Sequence, residues 1–273
     1  MTEFRRIYWS PSFNWKAYAK AYDEYCRTNG NYYASSSKLL IGPAQLKDRM
    51  TVLDAGCGTG VMSEEIINRI PSAKIYAVDL SEEMLKFYKS KFGRQIAQGQ
   101  VNAFEGDVEN LSAYTIPQSD VVFLASCIWD MDLQALFSHL QCIKKGGLVI
   151  TNVPVYITGC EDGFIGFIES NFRKEENVDR AYRRIKLEEL KAAANENGFA
   201  IERTEPYEFN LSASNIGKFF RLLKYRYPFV FFSDAMSYEG RLKRCETIFN
   251  RMLKKVPEEG IDEKGDIFLI RKV

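Results

Sequence analysis

The chain has 273 residues, 46% of them hydrophobic and 27% charged, with a formal net charge of +1. That length supports a sizeable core, and the near-neutral balance argues against a strong electrostatic grip on nucleic acid or an anionic membrane. Six cysteines (Cys26, Cys57, Cys127, Cys142, Cys160 and Cys245) form no C-x-x-C pair, so neither a zinc site nor a disulfide framework is expected, and the spacing suits a reducing compartment. The start, Met1-Thr2-Glu3-Phe4-Arg5-Arg6, leads into no apolar segment, and no apolar run approaches membrane-spanning length. The expectation is a cytoplasmic protein with no membrane partner and no bound metal.

In chain order, residues before about 45 read as helix, with Trp15, Tyr18, Tyr22 and Tyr25 at helical spacing. From residue 51 to about 205, strand and helix signals alternate, the pattern of a doubly wound parallel sheet. Strand one is Thr51–Ala55, and a helix near Val61–Arg69 stops before Pro71. Strand two is Lys74–Val78, ending at Asp79; Ser81 can cap the next helix by accepting from its open first-turn amides. Strand three is Val101–Glu105. Strand four, Asp120–Ala125, is nearly all apolar, as a strand covered on both faces should be. A helix then carries Leu133, Leu136, Phe137, Leu140 and Ile143 on one face; Gly146 and Gly147 end it, and Leu148–Val153 is strand five. A helix over Leu187–Asn197 stops at Gly198, Phe199–Arg203 is strand six and Ile267–Arg271 is the last strand.

Between those two strands, Ile216, Phe219, Phe220 and Leu223, then Leu242, Cys245, Phe249, Met252 and Val256, recur at helical spacing. The predicted fold is α/β: a doubly wound, mostly parallel seven-stranded sheet in one domain. Its parts are a helical lid over 1–45, a core over 46–205, a helical insert over 206–262 and the last strand over 263–273.

Candidate chemistry collects at the strand ends. Strand one turns sharply into a helix through Gly56, Gly58 and Gly60, which leaves bare backbone for a ligand to approach. Asp79, about 20 residues further on, sits where a carboxylate accepts from both hydroxyls of a ribose. Leu80 follows as an apolar edge for a base, and the loop Glu105-Gly106-Asp107-Val108 offers Asp107 to an adenine amine. A dinucleotide loop requires G-x-G-x-x-G, but position 61 is Val61, and Asp54 beside the loop disfavours phosphate and favours a cation. A ligand with ribose, adenine and a positive amino-acid tail fits better, and S-adenosylmethionine is such a ligand.

Val52-Leu53-Asp54-Ala55-Gly56-Cys57-Gly58-Thr59-Gly60 resembles motif I of the class I S-adenosylmethionine-dependent methyltransferases. Val78-Asp79-Leu80-Ser81 with Met84-Leu85 is similar to that family's acidic loop, Glu105-Gly106-Asp107-Val108 to its adenine loop, and Ile143-Lys144-Lys145-Gly146-Gly147-Leu148-Val149 to its turn into strand five. The resemblance covers about residues 45–205 and implies a Rossmann-like sheet with S-adenosylhomocysteine as product. It implies that Asp54 and the Gly56-Cys57-Gly58 backbone hold the methionine moiety, Asp79 the ribose, Leu80 the adenine flank, and Asp107 with the Val108 amide the adenine edge. Ser126 would face the methionine part. Ala19-Lys20-Ala21-Tyr22-Asp23 resembles a segment ahead of motif I whose tyrosine closes over the cofactor, so Tyr22 joins the set.

No catalytic residue is identified. The single histidine, His139, lies between Phe137 and Leu140 off the apolar stripe and reads as solvated. Asp130, Asp132, Glu161 and Asp162 lie in loops after strands four and five, and none stands out. A sulfonium is already a strong electrophile, so alignment can carry much of the catalysis. Strand four lacks a D/N-P-P-Y/F loop and a Pro-Cys pair, there is no paired-glutamate loop, and no acidic trio suggests a metal site. The expected activity is methyl transfer to an O, N or C nucleophile of a small molecule. Aminocarboxypropyl transfer, cyclisation of the cofactor, or an RNA-associated binding role remain open. The last would use Lys218, Arg221, Lys224, Arg226, Arg241, Lys243 and Arg244, a run that otherwise reads as a solvated helical face.

Overall fold

The computed structural model describes residues 13–155, 162–176, 185–232 and 236–273. Seven strands form one sheet: β1 (Thr51–Ala55), β2 (Lys74–Asp79), β3 (Val101–Glu105), β4 (Ser119–Leu124), β5 (Ile143–Pro154), β6 (Phe199–Leu211) and β7 (Ile261–Lys272). Their order is β3-β2-β1-β4-β5-β7-β6. The first five pair in parallel, and β7 runs antiparallel between β5 and β6. The sheet is thus mostly parallel, as expected. Strand order reverses between β1 and β4, and the crevice beyond the carboxyl ends there is where such sheets place ligands.

Alternate residues of β1 feed two apolar layers. Leu53 and Ala55 pack with Val78, Val122 and Phe137, whereas Val52 packs with Ile66, Ile75 and Phe123. All are fully buried, and each large side chain removed from water contributes about 1.5–3 kcal/mol. The helices that cover the sheet are α3 (Val61–Arg69), α4 (Glu82–Lys91), α5 (Gly93–Ala97), α6 (Leu133–His139), α7 (Gly163–Glu176) and α8 (Leu187–Glu196). Ser81 caps α4 by accepting from the Met84 amide at 3.3 Å.

Three expectations are corrected. The helix after β4 ends at His139, and Ile143 already belongs to β5. Ser119 pairs with Ile143 but Val121 with Leu148, so the intervening residues bulge out of the ladder. Gly146, at φ +77°, marks that bulge rather than a helix end.

β6 and β7 are also far longer than Phe199–Arg203 and Ile267–Arg271, pairing from Phe199↔Lys272 to Leu211↔Ile261. Charged residues and Pro206 hide this ladder in the sequence; proline is tolerated because β6 is an edge strand. The insert is therefore helical only in its middle: α9 (Ala213–Leu223), α10 (Tyr227–Phe231) and α11 (Tyr238–Leu253). Third, Arg226 and Arg241 of the basic run are buried, at 8% and 6% exposure, and the Arg241 guanidinium stacks 5.3 Å from the Phe229 ring centre.

The N-terminal region forms two helices, α1 (Trp15–Cys26) and α2 (Tyr32–Ile41). Asn31 caps α2 by accepting from the Ala34 amide. Rings join these helices to the insert: Phe219 lies 5.1 Å from Tyr25 and 5.4 Å from Tyr32, centre to centre. Asn215 Nδ2 donates to the Gly30 carbonyl at 2.8 Å. Segments 185 residues apart thus form one aromatic layer. No helix among the described residues is long and apolar enough to cross a membrane.

Candidate functional site

The glycine loop is stapled from beneath by its neighbouring strand. The Gly56 and Cys57 amides both donate to the Val78 carbonyl, at 2.8 and 3.0 Å. The Gly58 amide donates to Asp79 Oδ2 at 2.8 Å, and the Ser81 amide donates to Asp79 Oδ1 at 2.9 Å. Burial raises the Asp79 carboxyl above its usual range, opposed by those two amides. Each carboxylate oxygen retains a lone pair for a further donor.

Gly56 and Gly58 adopt φ +75° and +53°. A Cβ at Gly56 would lie 3.2 Å from Cys127 Sγ, and one at Gly58 would lie 3.6 Å from the Tyr22 ring. Gly60 has a different role. A Cβ there would sit 2.4 Å from Phe92 and 2.9 Å from Tyr88, so its constraint is core packing.

Above the loop is a cavity whose empty space, mouth included, is about 860 Å³. Gly56, Gly58, Asp79, Leu80, Val108, Ser126 and Tyr22 all line it. The other three predicted site residues are not among those that line it. Asp54 is 1% exposed and accepts from Ser63 Oγ at 2.6 Å, and Ser63 Oγ accepts in turn from Tyr88 Oη. Burial pushes the Asp54 carboxyl up to about 7, against the Ser63 hydrogen bond. Cys57 packs its side chain into the core, and burial pushes its thiol up. Asp107 Oδ1 accepts from the Glu109 amide at 2.8 Å and so sets the turn that presents Val108 and Glu109 to the cavity.

Sequence reasoning missed Tyr33, Glu109, Cys127, Met131 and Asn152. The first four line the cavity. Asn152 holds the loop after β4: its Oδ1 accepts from the Ser126 amide at 2.8 Å. Ser126 sits at φ +55°, a left-handed conformation uncommon outside glycine, and its hydroxyl lies 3.1 Å from that of Ser36. A polar Asn at the end of the apolar run of β5 was the available signal. Of the loop acids, Asp132 caps α6 and its amide donates to Glu109 Oε1. Asp162 pairs with Lys264 at 3.0 Å on the surface. Glu161 and the Asp130 side chain lie outside the described residues. His139 Nδ1 lies 2.6 Å from Ser112 Oγ, and the histidine does not line the cavity.

A second, narrower chamber, about 430 Å³ with its mouth included, adjoins the first and shares Tyr33, Ser126 and Arg226 with it. Tyr32, Trp129, Phe219 and Tyr227 supply its other rings. Burial holds the Tyr32 and Tyr33 hydroxyls well above the ordinary tyrosine value.

Residues 52–147 match the family described as "Methyltransferase domain". A malonyl-[acyl-carrier protein] O-methyltransferase of Ilyobacter polytropus is 30% identical over 182 residues, covering 65% of this chain and 64% of that protein. A demethylmenaquinone methyltransferase of Leptospira interrogans is 31% identical over 101 residues, 36% of this chain and 41% of that one. Among solved structures, phosphoethanolamine N-methyltransferase 2 of Haemonchus contortus, bound to S-adenosyl-L-methionine, superposes with a TM-score of 0.59 at 17% identity, covering all of this chain and 60% of that one. The chain thus spans somewhat less than two thirds of the Ilyobacter and Haemonchus proteins. The fold, the motifs and these matches are those of a methyltransferase domain over residues 52–147.

Proposed function

We propose that this protein transfers the methyl group of S-adenosylmethionine to an acceptor seated in the second chamber, and that the accepting atom is a carboxylate oxygen of an acyl thioester. The observation that carries the reading is the pair of adjoining cavities that share Tyr33, Ser126 and Arg226. The donor set of the first cavity suits the cofactor: bare backbone at Gly56 and Gly58, the Asp79 carboxylate with lone pairs left for ribose hydroxyls, and Leu80, Met84 and Val108 as an apolar slot for adenine. Asp54 and Cys57 act beneath the loop in this reading, and Asp107 acts through the turn it caps. Tyr22 covers Gly58 and keeps water from the reacting end.

When bound, the cofactor supplies a methyl on a sulfonium, and a nucleophile that takes it leaves the neutral thioether S-adenosylhomocysteine. The chain's own task is then to align the acceptor, which alone supplies large rate factors. The choice of carboxylate follows from what the second chamber lacks. A hydroxyl or ammonium acceptor must lose a proton, and among the described residues lining that chamber Tyr32 and Tyr33 are held protonated by burial. A carboxylate arrives deprotonated at neutral pH. The names of the Ilyobacter relatives, both malonyl-[acyl-carrier protein] O-methyltransferases, point the same way. The acceptor in this reading is a small acyl group, free or carried on a protein arm.

Calorimetry with S-adenosylmethionine and S-adenosylhomocysteine tests the cofactor, and mass spectrometry of a reaction with a malonyl thioester tests the transfer. The expected products are a methyl ester and S-adenosylhomocysteine. Methylthioadenosine would mean that the aminocarboxypropyl chain is transferred instead, and no cofactor binding would end the proposal.

A further inference from the structure

We infer that Arg226 is the specificity-determining residue of the second chamber, where its guanidinium holds an anionic group of the acceptor, a carboxylate, against the junction with the cofactor cavity. The inference rests on the methyl-transfer reading above.

Position comes first. Arg226 immediately precedes α10, where the chain turns between α9 and α10, and it lines both cavities together with Tyr33 and Ser126. It is 8% exposed. Charge comes second. The cofactor cavity carries acids, Asp79 and Glu109, whereas no acid is found among the described residues lining the second chamber. Arg226 is the one basic side chain among the described residues lining either cavity. A guanidinium carries five N–H donors, so Arg226 can hold a partner of its own and still offer donors to an anion entering the chamber, which a cationic acceptor could not use.

Chemistry comes third. The planar guanidinium fork matches the two oxygens of a carboxylate and fixes its plane as well as its place. A point charge would leave the plane free, and methyl transfer requires one oxygen aimed in line with the methyl–sulfur bond. The surrounding rings of Tyr32, Trp129 and Phe219 are apolar walls suited to the rest of an acyl arm, and their low polarity strengthens the charged contact.

The test measures binding without turnover. Two thioesters of N-acetylcysteamine, malonyl and acetyl, differ by one carboxylate. With S-adenosylhomocysteine bound, calorimetry on the wild-type protein should show the malonyl thioester binding at least about 10-fold more tightly, the size of one hydrogen-bonded charge contact. Arg226→Gln should erase that preference while S-adenosylhomocysteine binds as before, and Arg226→Lys should restore part of it. The wild-type comparison stands even if a variant fails to fold. Equal binding of the two thioesters to the wild type, or a preference that survives in Arg226→Gln, overturns the role of Arg226 and leaves the cofactor reading in place. Failure of S-adenosylhomocysteine itself to bind overturns both.

Discussion

Replacing Glu263 by Gln isolates the effect of one buried carboxyl on stability. Glu263 lies on β7 at 1% exposure. Its Oε2 accepts from the Ile165 amide at 2.9 Å at the start of α7, and its Oε1 has no hydrogen-bond partner. Burial pushes this carboxyl from 4.5 up to about 8, against the amides of Ile165 and Phe164. Between those two values the native state keeps a proton that the unfolded chain has released, so stability falls as pH rises. The slope is about 1.4 kcal/mol per pH unit, and the span gives a total of about 5 kcal/mol by pH 8. That is a large share of a typical folding free energy of about 5–15 kcal/mol.

Glutamine retains the accepting oxygen and cannot ionise. At pH 5 the two proteins should unfold within about 1 kcal/mol of each other. By pH 8 the variant should be more stable by roughly 3–5 kcal/mol. Urea denaturation at four pH values between 5 and 8 measures the gap directly. Asp54, also raised by burial, to about 7, titrates in both proteins and cancels in the difference. A gap that stays constant from pH 5 to pH 8 would mean that Glu263 is ionised in the native state, and the reasoning would be wrong.

The glycine loop and its neighbours are open to three further tests. Asp79→Ala removes the acceptor of two backbone amides as well as the proposed ribose contact; with charged hydrogen bonds worth about 1.5–3 kcal/mol each, S-adenosylhomocysteine affinity should fall at least about 100-fold, and a loss below 10-fold by calorimetry would contradict the role (about 1.4 kcal/mol). Gly60→Ala drives a methyl to 2.4 Å from Phe92 at φ +91°, so thermal unfolding should show a loss of about 2–4 kcal/mol; an unchanged midpoint would refute the packing argument. Tyr22→Ala strips the ring that covers Gly58, and stopped-flow release of S-adenosylhomocysteine should quicken by about 10-fold, equivalent to about 1.4 kcal/mol, whereas Tyr22→Phe should leave it nearly unchanged.

The first cavity was largely legible because the residues that line it lie at strand ends, whose determinants are local. β1, α3 and β3 begin and end where the apolar runs, Pro71 and the strand-end acids say they should. The parallel crossovers then bring the ends of β1, β2, β3 and β4 to one crevice by topology alone. Locality also hides which way a residue faces. Asp54 and Cys57 carry motif I character in sequence, and the structure shows Asp54 bonded to Ser63 and Cys57 packed in the core. The long β6–β7 ladder was hidden because an edge strand need not alternate, and its polar residues and Pro206 look like loop.

The second chamber was illegible for a deeper reason. Its walls come from α2, the β4 loop, the end of β5, α7, α9 and the start of α10, so no window of sequence contains it. An aromatic residue at helical spacing reads the same whether it faces core or cavity, as Tyr32 and Phe219 show by doing both. A basic residue in a basic run likewise reads as solvated, and only the fold turns Arg226 inward while leaving Arg221 outside. Cofactor recognition is written in strand ends whose spacing is constrained by the sheet. In the proposed reading, acceptor recognition depends on which helices pack over those ends, and there the inward turn of Arg226 says more than the whole aromatic composition.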